Sequence, residues 1–588
     1  MRPLDWLIVA AFLAASLGIG TAASRRAGRG FGAFFLGDRR LPWWMLGVSM
    51  VATTFSTDTP NLVTDIVRSD GVLGNWVWWA FALTGLSTTF VYARLWRRSG
   101  MRTDVEFYEI RYSGRLAAFL RGFRAVYLGV LFNVLILASV TLAAIKISAV
   151  LLGLSPFSTV TLAALVTTTY SVLGGLRGVV LTDLVQFAVS MAGSFAAAAF
   201  LVGLPEVGGL EALLRHEQVA DRLRFWPSFA EADAGELVPL LLLPLGVQWW
   251  ASYYPGAEPG GGGYVAQRML AARSERAAEG ASLLFNALHY ALRPWPWILV
   301  ALSSLVVFPD LDAMRARFPD LPEHVVRNDL AYPAMLTLLP AGLLGLVAAS
   351  LAAAYMSTMS TQVNWGAGVL VNDVYQRFVR PEASERELVL CGRVVTVGLM
   401  LLACTLALWL DSALQVFSIL LQIGAGTGLL FLLRWFWWRI NAATELAAML
   451  VSLTVAVGFE LTALADWPAW QKLSTGVAVT TASWLLVAFL TPPTDRATLL
   501  AFYRRIRPDG PGWREIRAAA GDGPHGDGSL PRGIAATVAG ALFLYAGIFA
   551  TGFWLYGRVM AAGTCLAFAL ACGGLLFGIV RRLPADPA

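Results

Sequence analysis

The chain has 588 residues, of which 57% are hydrophobic and 14% are charged, and its formal net charge is +6. Soluble domains average roughly 45–50% apolar and about 25% charged residues, so this composition excludes a soluble globular protein. The positive charge comes mainly from arginines between apolar runs, and we interpret it as a signal of membrane orientation. We expect one integral membrane domain in contact with lipid, and no nucleic-acid partner.

Apolar runs long enough to cross a bilayer recur along the whole chain. A helix needs about 20 residues to cross roughly 30 Å of hydrocarbon, and we predict about fifteen such helices, numbered here as spans 1 to 15. Span 1 has no basic segment before it beyond Arg2, so we expect a mature helix rather than a signal peptide. The predicted spans cover residues 4–23, 41–66, 71–96, 118–152, 156–177, 179–204, 237–254, 280–308, 340–374, 387–410, 412–437, 441–463, 473–490, 534–557 and 559–581.

Arginine clusters predict which ends of the spans face the cytoplasm. Because positively charged loops stay inside, the N-terminus is expected outside and the C-terminus inside. The mixed-charge loops 205–236 and 309–332 are expected outside. This alternation predicts a multi-pass protein of the plasma (cell inner) membrane. The cytoplasmic clusters are Arg25, Arg26, Arg29, Arg39 and Arg40, then Arg97, Arg98, Arg102, Arg111 and Arg115, then Arg268, Arg273 and Arg276, then Arg377, Arg380 and Arg386, then Arg434 and Arg439, then Arg496, Arg504, Arg505 and Arg507, and finally Arg581 and Arg582.

The chain divides into four predicted parts. Residues 1–463 form a core that includes span 1, and residues 464–490 add one span. Residues 491–533 form a cytoplasmic linker rich in Pro, Gly and Arg, whose composition is typical of a flexible connection. Two C-terminal spans and a short tail occupy residues 534–588. The linker has no Gly-rich phosphate loop with a Walker lysine, so ATP bound by this chain is not the expected energy source.

Cysteines and histidines form no pattern typical of a metal or catalytic site. The cysteines lie within spans without metal-ligand spacing, so we predict buried thiols. The histidines are scattered, with no HExxH and no Ser/His/Asp pattern, so neither enzyme activity nor an organic cofactor is expected. These residues are Cys391, Cys404, Cys565 and Cys572, and His216, His289, His324 and His525.

Spans 2 and 7 are unsuited to a continuous helix. Span 2 contains "TTFSTDTP" at 53–60 and span 7 runs into "YYPGAEPGGGG" at 253–263, where Pro and Gly disfavour regular helix. Broken backbone at membrane depth is tolerated where it lines a cavity or is covered by protein. The two breaks are five spans apart, and a repeat of five helices must invert its topology on the second pass. The pattern predicts an inverted-repeat secondary transporter, with simple kinking as the alternative.

Three separated motifs resemble one family. They are "FFLGDRRLPWWMLGVSMVATTFS" at 34–56, "YSVLGGLRGVVLTDLVQF" at 170–187 and "AAAYMSTMSTQVNWGAGVLVNDVYQRF" at 352–378. They are similar to the first core helix, the turn between the fourth and fifth core helices, and the eighth core helix of the sodium:solute symporter family. That family includes sodium-coupled glucose, proline and sialic acid carriers. The resemblance covers about residues 4–463 and implies an all-α membrane protein of the LeuT type, with a core of five plus five inverted helices.

Span 9 concentrates polar side chains on one face of an apolar helix. Helical periodicity places positions i, i+3, i+4 and i+7 in one stripe, and this stripe consists of Ala354, Ser357, Thr358 and Thr361. Each hydroxyl alone would bond back to its own helix, whereas several together favour a shared hard cation, which prefers oxygen ligands. The resemblance places the family's main sodium site at the backbone oxygens of Ala52, Phe55 and Ala354 and the hydroxyls of Ser357 and Thr358.

The resemblance also suggests a second sodium site one turn closer to the cytoplasm. Some family members hold a second ion at positions that match Asp183, Ser360 and Thr361. Asp183 is open to an alternative role as a helix cap together with Gln186. A carboxylate within a membrane span is costly and is a functional hypothesis by default. We hypothesise that two sodium ions couple to transport.

The solute is expected beside the sodium site, between the broken helices. Thr54 stands where the proline carriers have an essential acid, and the asparagine of the sugar carriers is also missing, so neither substrate is assigned. Aromatic planes suit a ring, a sugar face or a cation, although tryptophan also anchors helices at the membrane interface. Glu258 in the span 7 insert has no predicted role. The residues expected to frame the solute are Thr54, Ser56, Asp58, Trp76, Trp79, Trp249, Tyr253 and Gln422.

Together these patterns predict a sodium-driven symporter that imports a small organic solute, such as a sugar, amino acid or carboxylate, by alternating access. A proton-coupled carrier or exchanger, with Asp58 or Asp183 as the titrating group, is the first alternative. A sensor or channel-like member is disfavoured because no kinase or receiver domain follows the core. A membrane enzyme is the alternative of a different class.

Overall fold

The computed structural model describes residues 1–27, 30–227, 237–251, 258–319, 321, 326–410, 420, 424, 426–523 and 526–583. Throughout these residues the regular structure is helical, apart from one β-bridge between Leu41 and Ala272. Ten of the described helices are long and apolar enough to cross a membrane. The predicted all-α membrane architecture is confirmed, whereas the count of fifteen spans stays a prediction because breaks divide several spans into shorter helices.

Uninterrupted apolar runs form single helices. These are Pro3–Ala27 (span 1), Glu385–Ala407 (span 10), Ala442–Leu461 (span 12), Ala469–Leu490 (span 13), Ser529–Leu555 (span 14) and Val559–Arg581 (span 15). The described part of span 11 is helical at 426–433. Short helices connect the spans at Phe31–Leu36, Phe107–Arg111, Gly209–Arg215, Glu217–Ala220, Leu311–Arg317 and Ala331–Leu336.

Several core spans contain a π-helical turn, a feature often found at functional sites. Such a turn widens the helix locally and changes the direction in which side chains point. The pieces are Trp76–Trp79, Ala82–Ser87, Thr88–Tyr92 and Ala93–Ser99 in span 3, Gly114–Val126, Tyr127–Phe132 and Asn133–Leu152 in span 4, Glu275–Asn286, Ala287–Leu292 and Pro294–Val307 in span 8, and Leu343–Leu370 and Val371–Val379 in span 9.

Both predicted breaks are confirmed. Span 2 consists of Trp43–Thr54 and Asp58–Asp70, separated by non-helical backbone at Phe55 and Ser56. Pro60 lies in the first turn of the second helix, where its missing N–H removes no helical hydrogen bond. Span 7 begins with Val238–Leu242, Leu243–Gly246 and Gln248–Trp250, and it resumes as Gly263–Ala271 beyond the residues that the structure leaves undescribed.

Spans 5 and 6 form one helical stretch, Pro156–Val202, with a kink at Gly175. The backbone there has φ +54° and ψ −167°, a conformation that glycine adopts without steric cost. The kink lies in the predicted "LGGLRG" boundary between the two spans. Asp183 therefore lies well inside the helix that follows the kink.

The predicted linker is folded rather than flexible over its described part. It forms the helices Arg496–Ile506 and Arg514–Ala519, and Trp513 between them donates a 2.8 Å hydrogen bond from Nε1 to the carbonyl of Trp435. The buried residues Leu499, Phe502, Tyr503 and Ile506 are spaced i, i+3, i+4 and i+7. This amphipathic stripe packs on the predicted cytoplasmic ends of spans 3 and 11.

Span 14 packs directly on core spans 3 and 8. The Tyr545 hydroxyl donates a 3.0 Å hydrogen bond to the carbonyl of Trp79, and the ring of Tyr545 lies 5.2 Å from that of Trp76. Gly552 allows close approach, because a Cβ at this position would lie 2.5 Å from the ring of Trp295. The first C-terminal span is therefore part of the packed molecule, while span 15 packs mainly against span 14.

Candidate ion and solute site

The break of span 2 meets the polar stripe of span 9. The Thr358 hydroxyl lies 2.7 Å from the carbonyl oxygen of Thr53 and 3.1 Å from that of Ala354. The Ala52 carbonyl accepts from the Phe55 amide at 3.1 Å, where the helix ends. The structure thus joins Thr358 of span 9 to the broken end of span 2 through the Thr53 carbonyl, and it buries four of the predicted main-site residues away from water. The relative exposures are 2% for Ala52, 1% for Phe55, 1% for Ala354 and 0% for Thr358.

Ser357, the fifth predicted main-site residue, bonds to Asp183. Its hydroxyl donates to Asp183 Oδ1 at 2.6 Å, and Ser49 donates to Asp183 Oδ2 at 2.5 Å. Asp183 is fully buried, and both of its oxygens are used to connect spans 2, 6 and 9. The capping alternative is wrong, because Asp183 lies mid-helix and the side chain of Gln186 has no hydrogen-bond partner among the described residues.

Arg268 lies inside the protein, and its assignment to a cytoplasmic loop is wrong. It belongs to the helix Gly263–Ala271 and is 0% exposed. Its Nη2 donates to Thr361 Oγ1 at 2.8 Å and to Ser49 Oγ at 3.2 Å, and lies 4.0 Å from Asp183 Oδ2. A positive charge therefore stands beside the Asp183 carboxylate. The sequence misled because Arg268 follows a glycine run that looks like the end of a span.

Ser360, Thr361 and Asn364 of span 9 are satisfied in two ways, whereas the buried side-chain amide of Gln362 has no hydrogen-bond partner among the described residues. Ser360 donates to the carbonyl of Ser357 at 3.1 Å, so this hydroxyl bonds back to its own helix, as expected for a lone hydroxyl in a membrane helix. Asn364 accepts a 3.1 Å hydrogen bond from Gln267 Nε2. Thr361 accepts from Arg268 and also lies 3.0 Å from the hydroxyl of Thr53. Of the predicted second-site residues, Asp183 and Thr361 thus meet at Arg268, whereas Ser360 turns to its own helix.

Thr54, at the end of the first half of span 2, connects to span 8. Its hydroxyl accepts from Arg293 Nη1 at 2.8 Å and lies 2.9 Å from His289 Nδ1. Ser56 in the break and Asp58 at the start of the second helix hydrogen-bond to each other. The break therefore presents a hydroxyl, an imidazole and a guanidinium close to one another inside the membrane domain.

A small cavity of about 40 Å³ extends from Thr54 between spans 2, 3, 7 and 8. Its polar wall combines hydroxyl, amide, imidazole and carboxylate groups, and its apolar wall is aromatic. A typical ligand pocket measures roughly 300–1,000 Å³, so the walls must separate before a solute fits. The polar lining residues are Thr54, Thr84, Thr88, Glu258, Ser282, Asn286 and His289, and the aromatic ones are Phe81, Tyr264, Phe285 and Tyr290.

Trp76 and Trp79, two residues of the predicted aromatic frame, do not line this cavity. The Trp76 indole donates to the carbonyl of Phe225 at 2.7 Å and packs against Tyr545 of span 14. Trp79 is fully buried beside it, with the two rings 5.9 Å apart. The carbonyl of Trp249 accepts from Thr84, whose side chain does line the cavity. Tyr253 and Gln422 lie outside the described residues.

Span 8 contributes polar residues that the sequence analysis missed. Ser282, Asn286 and His289 are spaced i, i+4 and i+7, so they form one stripe along the helix. The same periodicity that indicated span 9 was therefore present here. Metal-ligand and catalytic patterns give His289 no role, and the polar stripe on span 8 becomes evident only when its helical spacing is considered.

Two matching broken helices, buried backbone ends and a central polar cavity define an inverted-repeat secondary transporter. The model of the sodium:solute symporter family matches residues 34–452, and the chain belongs to this family. It is a multi-pass membrane transporter that couples the entry of a small organic solute to sodium by alternating access, and it is not an enzyme.

The relatives include carriers from bacteria and mammals. A sodium/glucose cotransporter of Vibrio parahaemolyticus is 27% identical over 477 residues, which cover 77% of this chain and 84% of the relative. The sodium/myo-inositol cotransporter 2 of Mus musculus is 25% identical over 496 residues, covering 78% and 70%. The solved structure of a Na⁺-coupled sialic acid symporter matches with a TM-score of 0.68 and 21% identity, covering 84% of this chain and 99% of that one, and it supports the fold.

Proposed function

We propose that a sodium ion binds where the break of span 2 meets span 9. The ligands would be the backbone oxygens of Ala52, Phe55 and Ala354 and the hydroxyls of Ser357 and Thr358. The Thr358 hydroxyl carries this proposal, because it lies 3.1 Å from the Ala354 carbonyl and 2.7 Å from the Thr53 carbonyl at the end of the broken helix, and so gathers neutral oxygens of both spans in one place. Neutral oxygens suit a hard monovalent cation.

The position of the Arg268 guanidinium favours a stoichiometry of one sodium ion per cycle, and we therefore do not retain the two-ion hypothesis. Arg268 already bonds Thr361 and lies beside Asp183, two residues of the predicted second site. A second cation there would meet a like charge in a poorly screened interior. Sodium-dependent uptake should show a Hill coefficient near one. A coefficient near two that falls in the Asp183→Asn variant would contradict this stoichiometry.

One ion supplies enough free energy for uphill import. A Na⁺ ion that enters through roughly 100 mV releases about 2.3 kcal/mol, and a tenfold concentration gradient adds about 1.4 kcal/mol. Together these allow a neutral solute to accumulate roughly 500-fold. A second ion is not needed on energetic grounds.

We further propose that the solute is a small polyhydroxylated molecule of the sugar or cyclitol class. The cavity beside Thr54 supports this class, because its hydroxyl, amide and imidazole groups both donate and accept hydrogen bonds, as solute hydroxyls require. Its aromatic faces suit the C–H faces of a ring. The solutes for which the relatives are named, glucose, myo-inositol and sialic acid, are polyhydroxylated as well.

Uptake by the purified protein in proteoliposomes tests both parts of the proposal. The panel contains sugars, cyclitols, sialic acid, amino acids, carboxylates and nucleosides, each with and without a sodium gradient. We expect sodium-dependent accumulation of a polyhydroxylated solute. Accumulation of an amino acid alone would overturn the solute class but leave sodium coupling intact.

The proposed membrane arrangement follows the arginine clusters. We place the protein in the plasma (cell inner) membrane with the N-terminus outside and the C-terminus in the cytoplasm. The core is 1–463, followed by the span in 464–490, the linker 491–533 and the C-terminal region 534–588, and the family match ending at residue 452 supports this division. Protease cleavage of an N-terminal tag on intact cells tests the orientation.

A further inference from the structure

One wall of the cavity carries a carboxylate that the proposed function does not use. Glu258, in the insert of span 7, is 3% exposed and lines the cavity together with Thr54 and His289. Its Oε1 accepts a hydrogen bond from Arg124 Nη2 at 3.2 Å, and its Oε2 lies 3.8 Å from Arg434 Nη2. Two guanidiniums therefore hold one carboxylate at the edge of the cavity.

The arginines belong to the predicted cytoplasmic ends of two other spans. Arg124 is near the start of span 4, and Arg434 follows the described helical part of span 11. Arg434 donates to the Tyr108 hydroxyl at 2.8 Å, and its Nη1 lies 3.6 Å from Glu445 at the start of span 12. Buried charged and phenolic groups thus form a connected cluster beside the cavity, at the predicted cytoplasmic ends of these spans.

The glycines of the insert allow Glu258 to reach this cluster. Gly260 and Gly261 have φ of +80° and +89°, so the chain turns back tightly after the glutamate. A Cβ at Gly262 would collide with the Glu258 carboxylate. The turn is held by the Trp96 indole, which donates to the Gly260 carbonyl at 2.6 Å, and by Asp104, which accepts from the Gly263 amide at 2.8 Å.

We propose that Glu258, bound to Arg124 and Arg434, is a lock that closes the cytoplasmic exit of the solute cavity. Alternating access moves the broken helices relative to their neighbours around a fixed site. Glu258 belongs to a broken helix, while its partners belong to spans 4 and 11, so this motion separates the charges. Buried ion pairs are costly to break because each ion is left unpaired until water reaches it. The lock thus holds the exit closed until the loaded carrier opens it.

Cytoplasmic access to the cavity measures the lock directly. A reporter thiol, Ser282→Cys, is placed in the cavity of a full-length protein whose four cysteines are replaced by alanine. Inside-out vesicles are treated with a membrane-impermeant methanethiosulfonate reagent, without solute. We expect Glu258→Gln to increase the labelling rate at least tenfold, because the neutral amide holds the guanidiniums weakly. Glu258→Asp, which keeps the charge, should stay close to the parent.

A matched control variant and a double-mutant cycle distinguish this role from a general loss of packing. Glu279→Gln removes a comparable carboxylate that pairs with Arg94 at 2.5 Å between spans 3 and 8, away from the cavity lining. It should leave the labelling rate unchanged. Arg124→Gln should increase the rate as Glu258→Gln does, and the double variant should exceed neither by more than about twofold, because both changes open the same contact.

Three results would overturn the lock. They are equal labelling in Glu258→Gln and the parent, equal effects of Glu258→Gln and Glu279→Gln, and multiplicative effects in the double variant. Thermal unfolding of each purified variant identifies any that misfold. If a glutamine variant misfolds, the labelling rates of Glu258→Asp and Arg124→Lys are compared with the parent instead. The lock rests on the proposed solute cavity, which is tested separately by protection of the Ser282→Cys thiol with the transported solute. If labelling rises in Glu258→Gln but the solute gives no protection, the cavity is not the solute site, while Glu258 still closes that cavity to the cytoplasm.

Discussion

Replacing Thr358 by alanine tests the proposed sodium site most directly. The change removes one of five proposed ligand oxygens. Apart from this hydroxyl, the fully buried side chain loses only one methyl group. Polar contacts to charged groups contribute about 1.5–3 kcal/mol each. Since each 1.4 kcal/mol is a factor of ten, the sodium concentration for half-maximal uptake should rise roughly 10- to 100-fold.

The assay is solute uptake into proteoliposomes as a function of sodium concentration, at saturating solute. Thr358→Ser keeps the oxygen and should retain sodium affinity within about threefold. Thr396→Ala is the matched control, because Thr396 is equally buried in span 10 but bonds only to the Gly392 carbonyl of its own helix at 2.8 Å. Sodium half-saturation should not change in that variant.

Three outcomes would refute this reasoning. If Thr358→Ala and Thr396→Ala shift the sodium dependence equally, the polar stripe of span 9 serves helix packing. If Thr358→Ser behaves like Thr358→Ala, the shape of the side chain matters rather than its oxygen. A lower maximal rate at unchanged sodium half-saturation would also contradict direct coordination.

Further predictions concern the neighbouring groups. Ser357→Ala should raise the sodium requirement about as much as Thr358→Ala, while Gln362→Ala should matter less, as sodium-dependent uptake will show. Asn286→Ala should raise the solute KM about tenfold with sodium half-saturation at saturating solute nearly unchanged. Tyr545→Phe loses the hydrogen bond to Trp79 and should destabilise the protein by about 1–3 kcal/mol in thermal unfolding, since the carbonyl stays buried without a partner. Burial raises the pKa of Asp104, in the loop after span 3, to about 7, so folding favours the protonated carboxyl. The free energy of unfolding should therefore fall as the pH rises from about 4 to about 7. Unfolding curves at several pH values measure this dependence, which should be weaker in Asp104→Asn.

Local signals made the framework of the protein predictable. The breaks of spans 2 and 7 follow from Pro, Gly and polar residues within a few positions, and the stripe of span 9 follows from helical spacing. The same rule would have revealed the stripe of Ser282, Asn286 and His289 and the buried face of the linker helix Arg496–Ile506. Both stripes satisfy a rule that needs only the sequence.

Contacts between residues far apart in the chain could not be predicted from the sequence. Trp76 was expected at the solute because it lies in a tryptophan-rich core span, yet it packs on Tyr545, more than 400 residues later. Arg268 was counted as a loop charge because hydropathy and charge rules see only neighbours in the chain. Its partners Asp183, Ser49 and Thr361 come from three other spans. No periodicity in one helix can indicate which charges of other helices it meets.

The buried pair of Asp183 and Arg268 has a consequence for the electrical character of the proposed cycle. Both charges are fixed in the protein and offset each other, so this pair adds no net charge to the empty carrier. A sodium ion among neutral oxygens then adds a full positive charge to the loaded carrier. With a neutral solute, we therefore expect the membrane potential to drive the loaded step inward, and the Asp183–Arg268 pair to add no voltage dependence to the return of the empty carrier. Each charge crossing the field contributes about 2.3 kcal/mol per 100 mV, so most of the electrical work falls on the step that carries solute.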